Sequence, residues 1–147
     1  MPATDVTLHD AQLSAIDPVT LYRILALRTD IFVVEQNCPY PELDGRDLEP
    51  STRLVWAQAD GAVLATLRLL IEPDGTARIG RVATSPAARG AGLAAELMER
   101  ALELAAGRTV VLHAQSYLVD WYERFGFVRT GPDFDDDGIA HAPMRRS

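Results

Sequence analysis

The chain has 147 residues, 48% of them hydrophobic, and a formal net charge of −7. That size and composition suit one domain with a buried core, and the acidic balance excludes the broad basic footprint of a general nucleic-acid binder. All 14 basic residues are arginine, which excludes Schiff-base chemistry on lysine, and Cys38 is the only cysteine, which excludes an internal disulfide.

Val6 to His9 reads as a short first strand. Asp17 as cap and Pro18 in the first turn open a helix, with Leu21, Ile24, Leu25 and Leu27 at helical spacing, predicted to run to about Glu35. Asn37 to Ser51, rich in Pro, Gly and Asp, is expected to be an ordered loop. Arg53 to Ala59 and Val63 to Ile71 form a predicted hairpin about Asp60-Gly61. Glu72-Pro73-Asp74-Gly75 then turns the chain into a strand from Ala77 to Thr84.

Ser85-Pro86 and a short loop lead into an amphipathic helix from near Leu93 to about Ala106, with Glu96, Glu99, Arg100 and Glu103 on its wet face. Thr109 to Ala114 is a predicted strand, and Leu118 to Arg124 a short helix ended by Gly126. Phe127 to Arg129 starts another strand, Asp133 to Gly138 is an acidic turn, and His141 to Arg145 is read as a final edge strand. The order implies an α/β fold: a mixed central sheet of about six or seven strands flanked by three or four helices. No apolar run approaches the roughly 20 residues of a membrane span, and Met1-Pro2-Ala3-Thr4-Asp5 lacks the features of a leader, so a cytoplasmic location is expected. Exposed strand edges near the C-terminus could pair two copies into a homodimer.

The most informative segment is Arg89-Gly90-Ala91-Gly92-Leu93-Ala94, which joins a strand to a helix. Two glycines at a helix start leave several backbone N–H groups free, and the helix dipole adds partial positive charge. Such an end can hold a phosphate or pyrophosphate without a metal. A glycine turn that merely connects strand to helix is the competing reading. His9, His113 and His141 are scattered and lack ligand spacing, so no metal is expected.

The strand, the Arg-Gly-Ala-Gly-Leu-Ala loop, the helix and the later Trp121-Tyr122-Glu123-Arg124-Phe125-Gly126-Phe127 resemble, in that order, the GCN5-related N-acetyltransferase (GNAT) superfamily. The loop matches Gln/Arg-x-x-Gly-x-Gly/Ala with Arg89, Gly92 and Ala94. A narrower resemblance, to the ElaA-like subfamily, rests on Phe32-Val33-Val34-Glu35-Gln36-Asn37-Cys38-Pro39-Tyr40, Asp44-Gly45-Arg46-Asp47, Gly80-Arg81-Val82, Ala114-Gln115 and Asp137-Gly138-Ile139-Ala140-His141. Ala140 stands where that subfamily usually has proline. The resemblance implies an acetyl-CoA-dependent N-acetyltransferase that moves acetyl directly to a primary amine of a small molecule or peptide. A CoA-binding sensor without turnover is the alternative, and acyl-homoserine-lactone synthesis, from the look of Arg28 to Glu35, is the third.

On that resemblance, backbone N–H groups of Arg89, Gly90, Ala91, Gly92, Leu93, Ala94 and Ala95 would hold the CoA pyrophosphate. Val82, Ala83 and Thr84 would pair with the pantetheine arm, the Val82 N–H would face the thioester oxygen, and Gln115-Ser116 would form a corner of the cleft. Tyr122 is the candidate general acid, against a plain role as a core aromatic. The β-strand before the loop offers Arg78 and Arg81 but no carboxylate, so Glu35 is the candidate base, activated by desolvation, against a structural pairing with Arg81. His141 is the other candidate base, against an ordinary surface-strand histidine. Cys38 as an acyl carrier lacks an adjacent base, and a loop or buried cysteine is the simpler reading. Glu42, Asp44 and Asp47, with Asp135 to Asp137, are acidic residues that could attract a cationic amine.

Overall fold

Eight strands form one sheet in the order β1-β2-β3-β4-β5-β8-β6, with β7 also pairing with β8, in the computed structural model of the chain, which describes residues 5–37, 41–136 and 138–147. Cys38 and Asp137, with the start of the chain at residues 1–4, lie outside the described residues. The strands are β1 (Thr7–Ala11), β2 (Arg53–Ala59), β3 (Ala62–Ile71), β4 (Ala77–Thr84), β5 (Val110–Gln115), β6 (Val128–Arg129), β7 (Phe134–Asp136) and β8 (Ile139–Arg146). Three α-helices accompany them among the described residues: α1 (Pro18–Thr29), α2 (Leu93–Leu104) and α3 (Val119–Glu123). No helix among them is long and apolar enough to cross a membrane.

The alternation of β2 sorts the two faces. Leu54 and Trp56 pack with Ile16 and Ile24 of the α1 side. Val55 and Ala57 pack with Leu93, Leu97, Met98 and Ala101 of α2 on the opposite face. α3 lies on the α2 side, where Tyr122 joins Leu112, Phe127 and Met144. Asp17 caps α1 by accepting from the Thr20 backbone N–H at 3.0 Å.

The first helix is shorter than its periodicity predicts. α1 ends at Thr29, and Asp30–Glu35 widens into a π-helical turn. The run Ile31-Phe32-Val33-Val34 crowds a regular α-helix, and the Thr29 hydroxyl donates back to the Leu25 carbonyl at 2.9 Å, a bond that bends helices. The strand predicted at the edge is also placed differently. β8 is interior, pairing with β5 along six residues from Val110↔Arg146 to Gln115↔His141, and with β6 and β7 on its other side. Near the C-terminus the outer strands are therefore two and three residues long, a short ladder to offer a second copy.

Two irregularities open the sheet. β4 carries an extra residue opposite β3: Thr66↔Ala83 is followed by Arg68↔Gly80, so Arg81 and Val82 together face Leu67. Arg81 sits at φ 53°, in the left-handed region that L side chains rarely adopt. In addition, β4 and β5 are parallel but pair only at Ala77↔Val110 and Arg78↔Val111. Beyond Arg78 the two strands part.

Candidate active site

The parted strands enclose a cleft of about 580 Å³. Val82, Ala83 and Thr84 of β4 line it, as do Gln115 of β5, Leu118, Trp121 and Tyr122 around α3, and Phe32, Val33 and Glu35 of the π-helical turn. A second hollow of about 270 Å³ lies over the glycine loop, bounded by Gly90, Gly92, Leu93 and Ala95. Thr84, Arg89, Ala94 and Trp121 border both. The volume of the larger one is in the usual range for small-molecule sites, about 300–1,000 Å³.

The loop has the geometry an anion cradle needs. Gly90 and Gly92 have φ of 88° and 76°, and a Cβ at either would meet nothing within 4 Å. Gly92 is the N-cap of α2 with no side-chain cap, so the first N–H groups of the helix are left to an outside acceptor. Arg89 is fixed across the mouth: its Nε donates to the Thr84 carbonyl at 3.3 Å and its Nη2 to both Glu35 oxygens at 2.9 and 2.8 Å. Ala91 is exposed and borders neither hollow. Ser116 also borders neither; its hydroxyl donates to Asp133 at 2.8 Å.

Tyr122 is buried at 6% exposure, edge-on to Trp121 at 4.9 Å and to Phe127 at 6.3 Å. Its ring is thus both a core aromatic and a wall of the cleft. Among the described residues its hydroxyl has no hydrogen-bond partner. Burial first, and the neighbouring Tyr117 second, push its pKa up to about 12. The phenol is therefore a proton donor at every physiological pH.

His141 faces the cleft from β8, opposite Gln115. Its Nδ1 lies 2.8 Å from the Ile139 carbonyl. A carbonyl only accepts, so Nδ1 carries a proton, and it is Nε2 that bears the lone pair whenever the ring is neutral. Phe134 stacks on His141 at 5.9 Å and meets His113 edge-on at 5.0 Å. His113 also lines the cleft; burial first, then the charges of Arg78 and His141, hold its pKa below the ordinary histidine value. Neither His113, weighed in the sequence only as a metal ligand, nor Phe134 is expected from the sequence at this site. The available signal was the alternation of β5, which puts His113 and Gln115 on one face.

Glu35 is half-exposed and ion-paired to Arg89, not to Arg81. The desolvated setting expected of it is absent. Arg81 instead binds Glu42, its Nε lying 2.9 Å from that carboxylate, and Asp44 at 3.3 Å. Glu42 also accepts from Arg28 Nε at 2.6 Å; Arg28 is fully buried and forks onto Asp47 at 2.7 and 3.2 Å. Arg68 forks onto Asp44 at 2.8 and 3.0 Å. Three arginines and three carboxylates thus form a cluster under the cleft, and Glu42, Asp44 and Asp47, three of the acidic residues expected to attract an amine, are spent on it, whereas Asp136 lines the cleft outside it. Among the described residues, no group of three or more His, Cys, Asp or Glu is placed to hold a metal ion.

Residues 32–147 match the family described as Acetyltransferase (GNAT) domain. The chain is 48% identical over 135 residues to a UPF0039 protein of Mycobacterium tuberculosis, covering 89% of this chain and 86% of that one. It is 37% identical over 145 residues to Protein ElaA of Escherichia coli, covering 95% and 93%. Among solved structures, an acyl-CoA N-acyltransferase from Pseudomonas aeruginosa superposes with a TM-score of 0.92 at 43% identity, covering 97% of this chain and 100% of that one.

Proposed function

The chain belongs to the GNAT acetyltransferase family, whose fold supports acyl transfer from acyl-CoA in general, and on that premise we propose that it transfers acetyl from acetyl-CoA to a primary amine of a small molecule or peptide within a ternary complex. The observation that carries the reading is the parting of β4 from β5, which joins the glycine-loop hollow to the histidine-lined end of the cleft. The residues present fit the cofactor: Gly90 and Gly92 leave open space above a loop whose N–H groups are free for a pyrophosphate.

Acetyl-CoA would supply the acyl group as a thioester. Gly90 and Gly92 to Ala95 would hold the pyrophosphate by backbone N–H groups, and Arg89, braced by Glu35, would close the mouth. The β5-facing edge of Val82 to Thr84, unpaired in the ladder, would take the pantetheine arm as an added strand. The Val82 N–H would stabilise charge on the thioester oxygen, a donor worth about 3–4 kcal/mol in comparable sites. As the amine nitrogen bonds to the acyl carbon, His141 Nε2 would take its proton, and Tyr122 would protonate the sulfur as the C–S bond breaks. Glu35 then serves Arg89, and the base is His141.

Acceptor-dependent thiol release, followed with amines and peptides against acetyl-, butyryl- and octanoyl-CoA, tests the reaction and its acyl length. The sensor reading draws support from Glu35 and Glu42, both already held by arginines. Acetyl-CoA binding without any acceptor-dependent thiol release would select it.

A further inference from the structure

The larger cleft is lined by four arginines, Arg68, Arg78, Arg81 and Arg89. Arg68, Arg81 and Arg89 are each hydrogen-bonded to carboxylates. Arg78 is different: its one ion contact among the described residues is Nε to Glu72 Oε2 at 3.5 Å, beyond good hydrogen-bonding distance. The other oxygen of Glu72 is taken by Arg46. A guanidinium presents five N–H donors in a planar fork that matches a carboxylate, and a side chain only 33% exposed has limited access to water as a substitute.

The position of Arg78 is as informative as the length of its one contact, to Glu72. Ala77 and Ile79 belong to the α2-side core, so Arg78 and Gly80 project to the opposite face, the one that carries His113 and His141. Arg78 acts electrostatically on His113. Gly80 supplies no side chain, and a Cβ there would meet nothing within 4 Å, so the floor between Arg78 and the bulge at Arg81 is open. Asp136 is a carboxylate at the far rim, on β7, near the histidines and not paired with Arg78.

We propose that Arg78 is the acceptor-binding residue of this cleft and that the acceptor is an amine carrying its own carboxylate, an amino acid or an equivalent small zwitterion. The carboxylate docks on the Arg78 fork, and the amine is thereby directed along β4 toward Val82 and His141. This inference rests on the transferase reading above.

The test compares matched acceptors: glycine with glycinamide, β-alanine with β-alaninamide, and phenylalanine with phenylalaninamide. With acetyl-CoA, the carboxylate member of at least one pair is preferred in kcat/KM by about tenfold or more, the range of a charge-assisted fork. Arg78→Gln brings the ratio close to one, and Arg78→Lys restores part of it, with acetyl-CoA binding as the control for folding. Ratios near one in the wild type, or an unchanged ratio in Arg78→Gln, overturn the assignment. If no acceptor releases thiol although acetyl-CoA binds, the transferase reading fails, and calorimetric titration of the same pairs into the CoA complex decides Arg78 separately. Carboxylate-selective binding lost in Arg78→Gln supports it; equal or absent binding of both members refutes it.

Discussion

Two glutamates, each bound to arginine, should respond very differently to the same change of one oxygen to an amide nitrogen. Glu42 is 7% exposed and accepts from Arg28 at 2.6 Å, with Arg28 only 1% exposed. Glu35 and Arg89 are 42% and 46% exposed. Glu42→Gln removes one charge from a neutral six-member cluster and leaves Arg28 sharing Asp47 alone. Breaking a buried pair from one side costs about 3–5 kcal/mol, and the retained amide carbonyl puts this case near 3. Glu35→Gln should cost at most about 1 kcal/mol. For a chain of this size, about 3 kcal/mol corresponds to a fall in Tm of about 6–12 °C. Urea unfolding followed by Trp56 and Trp121 fluorescence measures both. The Glu42 variant should also lose turnover, because Glu42 helps hold Arg81 at φ 53°, a conformation costing about 1–2 kcal/mol by itself. Equal losses in the two variants, or less than about 1 kcal/mol for Glu42→Gln, would refute the reasoning.

Tyr122→Phe should lower turnover by about a hundredfold while acetyl-CoA affinity stays within about twofold. Its thermal stability should not fall, since the hydroxyl has no partner among the described residues. Gly92→Val puts a β-branched residue at φ 76° and a side chain into the loop hollow; titration should show acetyl-CoA binding weakened by about tenfold, or about 1.4 kcal/mol. His141→Ala should abolish the rise of kcat/KM with pH on the acid side, whereas His113→Ala should leave that limb in place; a limb that survives His141→Ala removes it as the base. Asp44 is held at about 2, below its ordinary 3.8: burial opposes ionisation, but the Arg68 fork, the Arg46 N–H and the nearby arginine charges outweigh it. Its folded value is depressed, so its contribution is present above about pH 4 and lost as pH falls toward 2. After allowance for solvent screening it is on the order of 1 kcal/mol. Melting scans should show that loss in the wild type and not in Asp44→Asn.

Local signals announced local structure. The Asp17-Pro18 start, the Asp60-Gly61 hairpin and the glycine loop ahead of Leu93 each depend on a few neighbouring residues, and each stands where the sequence places it. What escaped depends on register between distant segments. β8 reads as an edge strand because nothing near His141 says that β6 and β7 will pair outside it. His113 and His141 appear scattered along the chain, yet the pairing Gln115↔His141 sets them diagonally on adjacent strands. Glu42 resembles any loop carboxylate until Arg28, Arg81 and the turn between them are folded around it. The π-helical turn was half legible: the β-branched run was visible, but its consequence was the end of a regular helix.

The bulge shapes the cleft because it changes the parity of β4. Ala77 and Ile79 face α2, so a regular strand would turn Arg81 and Ala83 to that side as well. Instead Ala83 joins Leu27 and Ile31 on the α1 face, and Val82 packs toward the α2-side core. One strand thereby offers Arg78 and Gly80 to the histidine side at its start and Val82 to the Tyr122 side near its end. On the proposed mechanism, this would set Tyr122 toward the sulfur and His141 toward the amine of one thioester. A regular β4 would keep the same residues and lose the crossing. Arg81 supplies the required left-handed residue although it has a side chain, and the carboxylates of Glu42 and Asp44 keep it there.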